Sequence, residues 1–225
     1  MLIRYQDFND ADTVISDRYN AYWQEIAQVL SGLRLHLKAS DQAGLQGTAI
    51  FDAVGTNSAI KQALVSYLWH PVPIPEEYRF LGTGIDFGKT GAILEVQFSH
   101  YAFILNNLLR GELFFKARTA LLGQATDLVV IVTKAHMFPA SQGTLYYEQA
   151  VSQLAALAKF SVFTVPLRVV GLYEPEAGIV PVIWTDYHAK RQSRTVVTQQ
   201  DRRCEIRRGT SPRSRCVLHL SADRA

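Results

Sequence analysis

The sequence predicts an α/β protein, a mixed sheet with helices packed against it. Three observations carry this. The run "DLVVIVTK" (127–134) is unbroken, apolar and β-branched over a strand's length, as a central strand buried on both faces requires. Around it, segments of helical period alternate with segments of strand character, in the order strand, strand, helix, strand, helix, strand. The chain has 225 residues, 48% hydrophobic and 19% charged, which suits a single domain able to bury a sizeable core.

Taken in order, Asp17 caps a helix in which Tyr22, Trp23, Ile26, Val29, Leu30 and Leu33 recur at three- to four-residue spacing, with Gly32 near its end. Thr56 and Asn57 cap a second helix that carries Ile60, Ala63, Leu64, Tyr67 and Leu68 on one side. "HPVPIPEEY" (70–78) places Pro71, Pro73 and Pro75 close together and reads as an extended or turning connection. Strands follow near 81–87 and 92–98, joined by a turn at 88–91. A long, largely buried helix spans 101–122. After the central strand come a helix over 145–160 and strands over 164–173 and 179–184. No internal repeat is present.

Composition excludes several classes. No apolar run reaches the roughly 18 residues of a membrane span, and "MLIRYQDFND" lacks the form of a signal peptide. Two cysteines, Cys204 and Cys216, without zinc-ligand company, point to a reducing cytoplasm rather than a disulfide framework. The net charge of +3 is unevenly spread. Residues 1–189 carry 13 Lys and Arg against 17 Asp and Glu, net −4, whereas residues 190–225 carry 10 against 3, net +7. The basic end serves either as an electrostatic footprint for phosphate backbones or as a solvated tail.

"LGTGIDFGKTGAILEVQF" (81–98) contains two competing motifs. Gly88-Lys89-Thr90 ends like a phosphate-binding loop. That loop needs Gly five positions earlier, where Thr83 stands, and a helix after it, where "AILEVQF" reads as a strand. The nucleotide reading fails on both counts. The alternative is a metal-dependent nuclease site, Asp-x8-Glu-x-Gln, with Asp86 late in one strand and Glu95 and Gln97 on one face of the next. Phosphodiester hydrolysis benefits from a hard divalent cation that polarises the phosphate and acidifies a bound water. Mg2+ takes one or two carboxylates plus waters and phosphate oxygens. Alone, the motif is also satisfied by an ordinary hairpin bearing two surface acids.

Resemblance across most of the chain decides between these. "LHLKASDQA" (35–43), "IFDAVGTNSAIK" (50–61), "VPIPEEYRFLGTGIDFGK" (72–89), "EVQFSHYAFILNN" (95–107), "TKAHMFPAS" (133–141), "LYYEQA" (145–150) and "KRQSRTVVT" (190–198) occur in one order at nearly constant spacing. Over about residues 5–198 the chain resembles the BglII-like type II restriction endonucleases of the PD-(D/E)XK superfamily, in which "EVQF" with Gln is characteristic. Beyond about 200 the resemblance is lost, so we expect a single endonuclease domain over 1–198 and a basic tail of unknown role over 199–225.

The resemblance implies a restriction-endonuclease-like mixed sheet core flanked by helices, with additional β-structure, in a homodimer that encircles double-stranded DNA. It implies Mg2+-dependent cleavage of both strands of a short palindrome, with host DNA protected by a cognate DNA methyltransferase. Asp86 and the Val96 carbonyl would be the protein's metal ligands, and Glu95 and Gln97 would orient the attacking water. Gln97 stands where most of the superfamily has Lys, which leaves more of the electrostatic work to the metal.

The base-reading elements would be Ser99 and His100, the loop Ser141, Gln142, Gly143 and Thr144, and Gln192 with Arg194. The family has Asn at His100, Asn-Ser-Ser at Gln142-Gly143-Thr144 and Tyr at Gln192, while Ser99, Ser141 and Arg194 are kept. Gln and Arg remain able to read adenine and guanine. The resemblance therefore implies the same chemistry on a hexamer around GATC, AGATCT-like, with a changed site open. For His100 a helix-capping or core role is the competing reading. Lys38 and Arg110 are candidates for phosphate contact or dimer contact, against ordinary surface ion pairing. One at least of Tyr146 and Tyr147 belongs to the core, and His136 is read as loop-ordering. The rival function is a DNA-binding protein whose catalysis has decayed.

Overall fold

The computed structural model describes residues 1–188, 195–211 and 214–221. In chain order the elements are β1 (Leu2–Phe8), α1 (Ala11–Val14), a π-helical turn (Ile15–Tyr19), α2 (Asn20–Gly32), β2 (Leu35–Ala39), β3 (Ala49–Phe51), α3 (Ala53–Val65) and β4 (His70–Pro73). A 3-10 turn (Glu76–Leu81) leads into β5 (Gly84–Lys89) and β6 (Ala92–Val96), followed by α4 (Phe103–Lys116), β7 (Leu128–Lys134), α5 (Tyr147–Ala158), β8 (Leu167–Tyr173), β9 (Gly178–Tyr187), β10 (Val196–Arg207) and β11 (Val217–Leu220).

The strands form two sheets, ordered β1-β8-β7-β6-β5-β4 and β11-β10-β9-β2-β3. In the first, β6, β7 and β8 are parallel and the flanking pairs antiparallel, which makes the sheet mixed as expected. Side-chain alternation on the parallel strands sorts the core into two layers. Leu94, Val130, Val132, Val170 and Leu172 join Ile26 and Leu30 of α2 and Ile60 and Leu64 of α3. Ile93, Val129, Ile131, Leu167 and Val169 join Ile104, Leu108 and Phe114 of α4 with Ala150 and Leu154 of α5. Every residue of β7 and β8 is buried, so an unbroken apolar run is what these strands need.

Several boundaries differ from expectation, each for a local reason. The second helix begins at Ala53, because Asp52 is its cap and accepts Val54 N–H at 3.1 Å. Thr56 lies inside the helix, with its hydroxyl donating to Asp52 O. The long helix spans 103–116 rather than 101–122, since the chain turns at Arg118, where φ is 53°. β5 starts at Gly84 because the 3-10 turn occupies the residues before it.

The largest correction concerns the C-terminus. β10 runs across the expected boundary at 198/199, pairs with β9 along most of its length and carries β11 as the sheet edge. Cys204, Ile206, Cys216 and Leu218 are buried in the first core layer. The Arg residues lie largely on the outward phase of this alternation, which is why a half-buried strand pair reads as a basic tail. Cys204 and Cys216 are free thiols.

Candidate active site

The β5–β6 hairpin turns at Thr90 and Gly91; Gly91 has φ 79° and its α-carbon packs against the Tyr19 hydroxyl, so a side chain there would meet both strain and a clash. Gly88-Lys89-Thr90 is therefore the end of a strand and a turn. The Lys89 ammonium is held by both Glu25 carboxylate oxygens, at 2.7 and 2.9 Å, with the Tyr22 ring at 4.8 Å. Lys89 thus anchors the hairpin to α2, and no phosphate role is left for it.

Asp86 sits at an irregularity. β4 and β5 pair as His70↔Gly88 and then Val72↔Ile85, so two steps on β4 oppose three on β5. The extra residue is a β-bulge at Asp86–Phe87, a device that re-aims a side chain beside a site. Across the hairpin, Val96 N–H donates to Asp86 Oδ2 at 2.8 Å, and Asp86 N–H lies 3.4 Å from Glu95 Oε2. The structure therefore brings Asp86, Glu95 and Val96 together.

Asp86 and Val96 line an open cleft with Ser99 and with Asn57, Ser58 and Lys61 of α3. Glu95 and Gln97, 4% and 7% exposed, stand behind that wall and face α4. Their polar partners come from the helix. The Arg110 guanidinium makes an ion pair with Glu95 and also reaches Asn107 Oδ1, Leu81 O and Gly84 O. Asn107 Nδ2 donates to Gln97 Oε1 at 3.1 Å, and Gln97 Nε2 donates to Ser99 Oγ at 2.6 Å. α4 can approach this closely because Gly111 faces β7; a Cβ there would lie 2.8 Å from Val129 Cγ2. Burial pushes the Glu95 carboxyl up to about 7, with Arg110 acting in the opposite direction and Asp86 adding to the rise.

Arg110 is accordingly a correction. It was a candidate for phosphate or dimer contact against ordinary surface ion pairing, yet it is 6% exposed and committed to Glu95, Asn107 and two carbonyls. A cation at the end of an apolar helix face is solvent-facing by default, and only the opposing Glu95 makes burial tolerable.

The expected base-reading segments meet. His100 and Thr144 form an antiparallel bridge, Tyr101 N–H donates to Gly143 O and Leu145 N–H to Ser99 O, both at 2.9 Å. Gly143 has φ 71°, and Thr144 Oγ1 closes the loop on Ser141 O. Ser141, Gln142 and His100 are exposed. His100 Nδ1 accepts Ala102 N–H at 3.3 Å just ahead of α4, and its ring stacks on Tyr101. In neutral form its Nε2 then carries the proton, on the ring edge that lies beside Gly143. Lys38 lies beside the same loop, lining a narrow recess with Ser141 and Thr144, its ammonium 5.6 Å from the Tyr187 ring. Gln192 and Arg194 lie outside the described residues.

Sequence reasoning missed three groups here. Asn57, Ser58 and Lys61 carry the helical spacing of one exposed face, the only signal available for them. Lys134 is 1% exposed and donates to Phe98 O at 3.3 Å and Leu145 O at 2.9 Å, tying the segment just after β6 to the loop's exit. The C-terminal segment braces the loop's other end: Arg215 donates to Ala140 O at 3.1 Å and Cys216 N–H to Met137 O at 2.9 Å. His136 keeps a loop-ordering place, with its backbone N–H bonded to Glu148 and its ring edge-on to Tyr146.

Lys134 has a measurable consequence. Burial lowers its ammonium to about 7, with Arg215 adding to the effect. Its folded value lies below its unfolded one, so between the two the unfolded chain holds a proton that the folded chain lacks. Stability then rises with pH, by at most about 1.4 kcal/mol per unit from this group. Urea denaturation between about pH 7 and 8.5 should show this contribution as the difference in slope between the wild type and a Lys134→Met variant, in which unfolded Cys, whose ordinary value lies near 8.5, titrates alike. The variant's slope should be the flatter. An unchanged slope in the variant would remove Lys134 as its source.

The sequence profile of the family "Restriction endonuclease BglII/BglIII" matches residues 3–172. The type II restriction enzyme BglII of Bacillus subtilis is 47% identical over 202 residues, covering 89% of each chain. The chain belongs to this restriction endonuclease family. It is by that membership a type II site-specific deoxyribonuclease. The crystal structure of BglII complexed with a DNA 16-mer matches with a TM-score of 0.94 at 42% identity, over 98% of this chain and 100% of that one. Free BglII matches with 0.76 at 40% identity and the same coverage. The fold is thus shared almost end to end, including the strands beyond residue 200 where the resemblance in sequence had stopped. The conformation is nearer that of the DNA-bound relative than that of the free one.

Proposed function

We propose that this enzyme hydrolyses one phosphodiester in each strand of a short palindromic DNA site, as a homodimer, with Mg2+ as cofactor. The observation that carries the reading is the join between Asp86 and Val96 N–H across the hairpin, at the wall of an open cleft, with Glu95 and Gln97 fixed by α4 immediately behind. The donor set fits a hard cation. Asp86 and the Val96 carbonyl are oxygen ligands, and among the described residues no cluster of three or more acidic, His or Cys side chains forms a closed metal cage. An ion that keeps several waters and takes phosphate oxygens suits such a site. When bound, Mg2+ supplies Lewis-acid polarisation of the phosphate and acidifies a water.

The chain's own groups do the rest. Asp86 orients toward the cleft because its second oxygen is tied to Val96 N–H. Glu95 and Gln97 are the residues assigned to orient the attacking water, a role that needs their side chains to reach past the Asp86–Val96 wall, and Arg110 and Asn107 hold both in place behind it. Ser99, His100 and the loop 141–144 read base edges, joined by Gln192 and Arg194, and Lys38 and Lys61 contact phosphates. Two-fold symmetry presents the same half-site to each subunit, which is why the site is a palindrome. We place the site as a hexamer around GATC, AGATCT-like, and the enzyme in the cytoplasm, beside a methyltransferase that protects host DNA.

Incubating plasmid DNA with the protein and Mg2+ and sequencing the ends tests this directly. Discrete fragments sharing one hexamer are expected. A specific gel shift without cutting would mean that catalysis has decayed and that the protein only binds. Neither cutting nor specific binding would overturn the reading.

A further inference from the structure

The hydrogen bonds behind the active site form a chain with one direction. It starts at Arg110, whose guanidinium has donors only. Its Nη2 donates to Asn107 at 3.2 Å, which requires that atom to be Oδ1. The Asn107 amide is then fixed, and its Nδ2 must donate to Gln97 Oε1 at 3.1 Å. That in turn fixes the Gln97 amide, so Nε2 donates to Ser99 Oγ at 2.6 Å. The Ser99 oxygen is thereby an acceptor on its inner side, and its proton points elsewhere. No hydrogen bond from that hydroxyl is found among the described residues, and Ser99 is exposed at the cleft that holds Asp86 and Val96.

We propose that Asn107 is a positioning residue that sets the polarity of Gln97 and so commits the Ser99 hydroxyl to donate to an acceptor atom on the base edge of the DNA. The inference rests on the reading of Ser99 as a base-contacting residue given above. Asn107 is 7% exposed on a helix whose buried neighbours are mostly apolar. A polar side chain at that place is explained by the two partners of opposite demand, an acceptor just beyond β6 and a donor on its own helix. An apolar residue would strand both. The relevant acceptors in the major groove are guanine N7 and O6, adenine N7 and thymine O4. The same chain links the base-reading hydroxyl to the Glu95 and Gln97 side chains in one connected set.

Two substitutions reverse the chain while preserving shape. In Asn107→Asp the carboxylate only accepts. Gln97 must turn its amide to donate to it, and Gln97 Oε1 then takes the Ser99 proton. In Gln97→Glu the carboxylate accepts from Asn107 Nδ2 and from the Ser99 hydroxyl directly, with Asn107 untouched. Either way Ser99 loses its outward donor. Melting curves identify any variant that fails to fold, and the second variant carries the test if the first does not.

The probe is the duplex bearing the site that the wild-type enzyme cuts, as defined by end sequencing, with major-groove acceptors deleted one at a time. The 7-deaza purines remove N7, 2-aminopurine removes guanine O6, and a 4-deoxy thymine analogue removes O4. Affinities are measured in Ca2+. In the wild type one deletion should weaken binding about tenfold, the worth of one hydrogen bond to a neutral acceptor. In Ser99→Ala, Asn107→Asp and Gln97→Glu the same deletion should cost nothing further. A purely structural or charge effect would weaken intact and deleted duplexes in parallel and leave their ratio unchanged.

Variants at 107 and 97 that keep the wild-type ratio overturn the proposal. So does a ratio retained in Ser99→Ala, which assigns the acceptor to another residue. A wild type that cuts its site but ignores every deletion overturns the proposal and leaves the nuclease reading standing. A wild type that neither cuts nor binds a defined site removes the reading itself, and the proposal with it.

Discussion

Asp86→Ala should abolish plasmid cleavage while leaving sequence-specific DNA binding in Ca2+ intact. A metal that polarises the phosphate and activates water contributes several kcal/mol to the transition state, and each 1.36 kcal/mol is a factor of ten. With Asp86 as the side-chain ligand proposed for that metal, its loss predicts a fall of at least about three orders of magnitude in the single-turnover rate. The fold should survive. The residue is half-buried, and its removal leaves one backbone donor, Val96 N–H, without its partner, a cost of about 1–3 kcal/mol. Cleavage within a factor of ten of wild type would sink the metal assignment. Loss of binding together with cleavage would show instead that the hairpin had collapsed.

Arg110→Met should be the most destabilising single change in the site. Breaking a buried ion pair from one side costs about 3–5 kcal/mol because the remaining charge is left uncompensated. Here the remaining group is Glu95, and the Leu81 and Gly84 carbonyls lose donors as well. For a chain of this size the melting temperature should fall by on the order of 10 °C. Arg110 is the largest influence that lowers Glu95, with the Asp86 N–H a smaller one, so without it the carboxyl rises further above its ordinary range. The destabilisation should therefore grow as the pH rises above about 7, reach its full size above the variant's raised value, and be smallest in acid, where the carboxyl is protonated in both proteins. Measured in EDTA, Arg110→Met with Glu95→Gln should recover part of the loss. A drop below about 1 kcal/mol at pH 8 would show that the pair contributes no more than a surface salt bridge.

These predictions differ in how far they could be read in advance. Period two on a hairpin singled out Asp86, Glu95 and Gln97, but only the family resemblance separated them from an ordinary hairpin with surface acids; β7 was legible because a strand buried on both faces has no polar phase to hide it. The failed phosphate loop was also legible, from Thr83 and from the strand after Thr90. β1, β2 and β3 were missed because short edge or partner strands carry little periodic signal. β10 and β11 were missed because the Arg residues of β10 and of the segment after it dominated the composition, while Cys204, Ile206 and Leu218 were the buried phase.

Arg110 marks the limit of such reading. Its position on the inner face of a helix follows from spacing, yet whether that face meets lipid-like side chains, solvent or a carboxylate depends on a different element. The same holds for Asp52, whose side chain both caps α3 and accepts the Tyr187 hydroxyl at 2.7 Å from 135 residues away.

By itself the sequence determined the α/β class, the hairpin, the identity of the acidic pair and the family, because these depend on local periodicity and on residue order along one chain. Only the tertiary structure decided that Asp86 and Val96 form the cleft wall while Glu95 and Gln97 stand behind it, that Arg110 faces inward, that a bulge re-aims Asp86, and that the basic C-terminus is a pair of strands bracing the loop 137–146. Those outcomes depend on partners from separate elements. They are set by how closely the elements pack, as where Gly111 lets α4 settle onto β7, and distance along the chain carries no record of it.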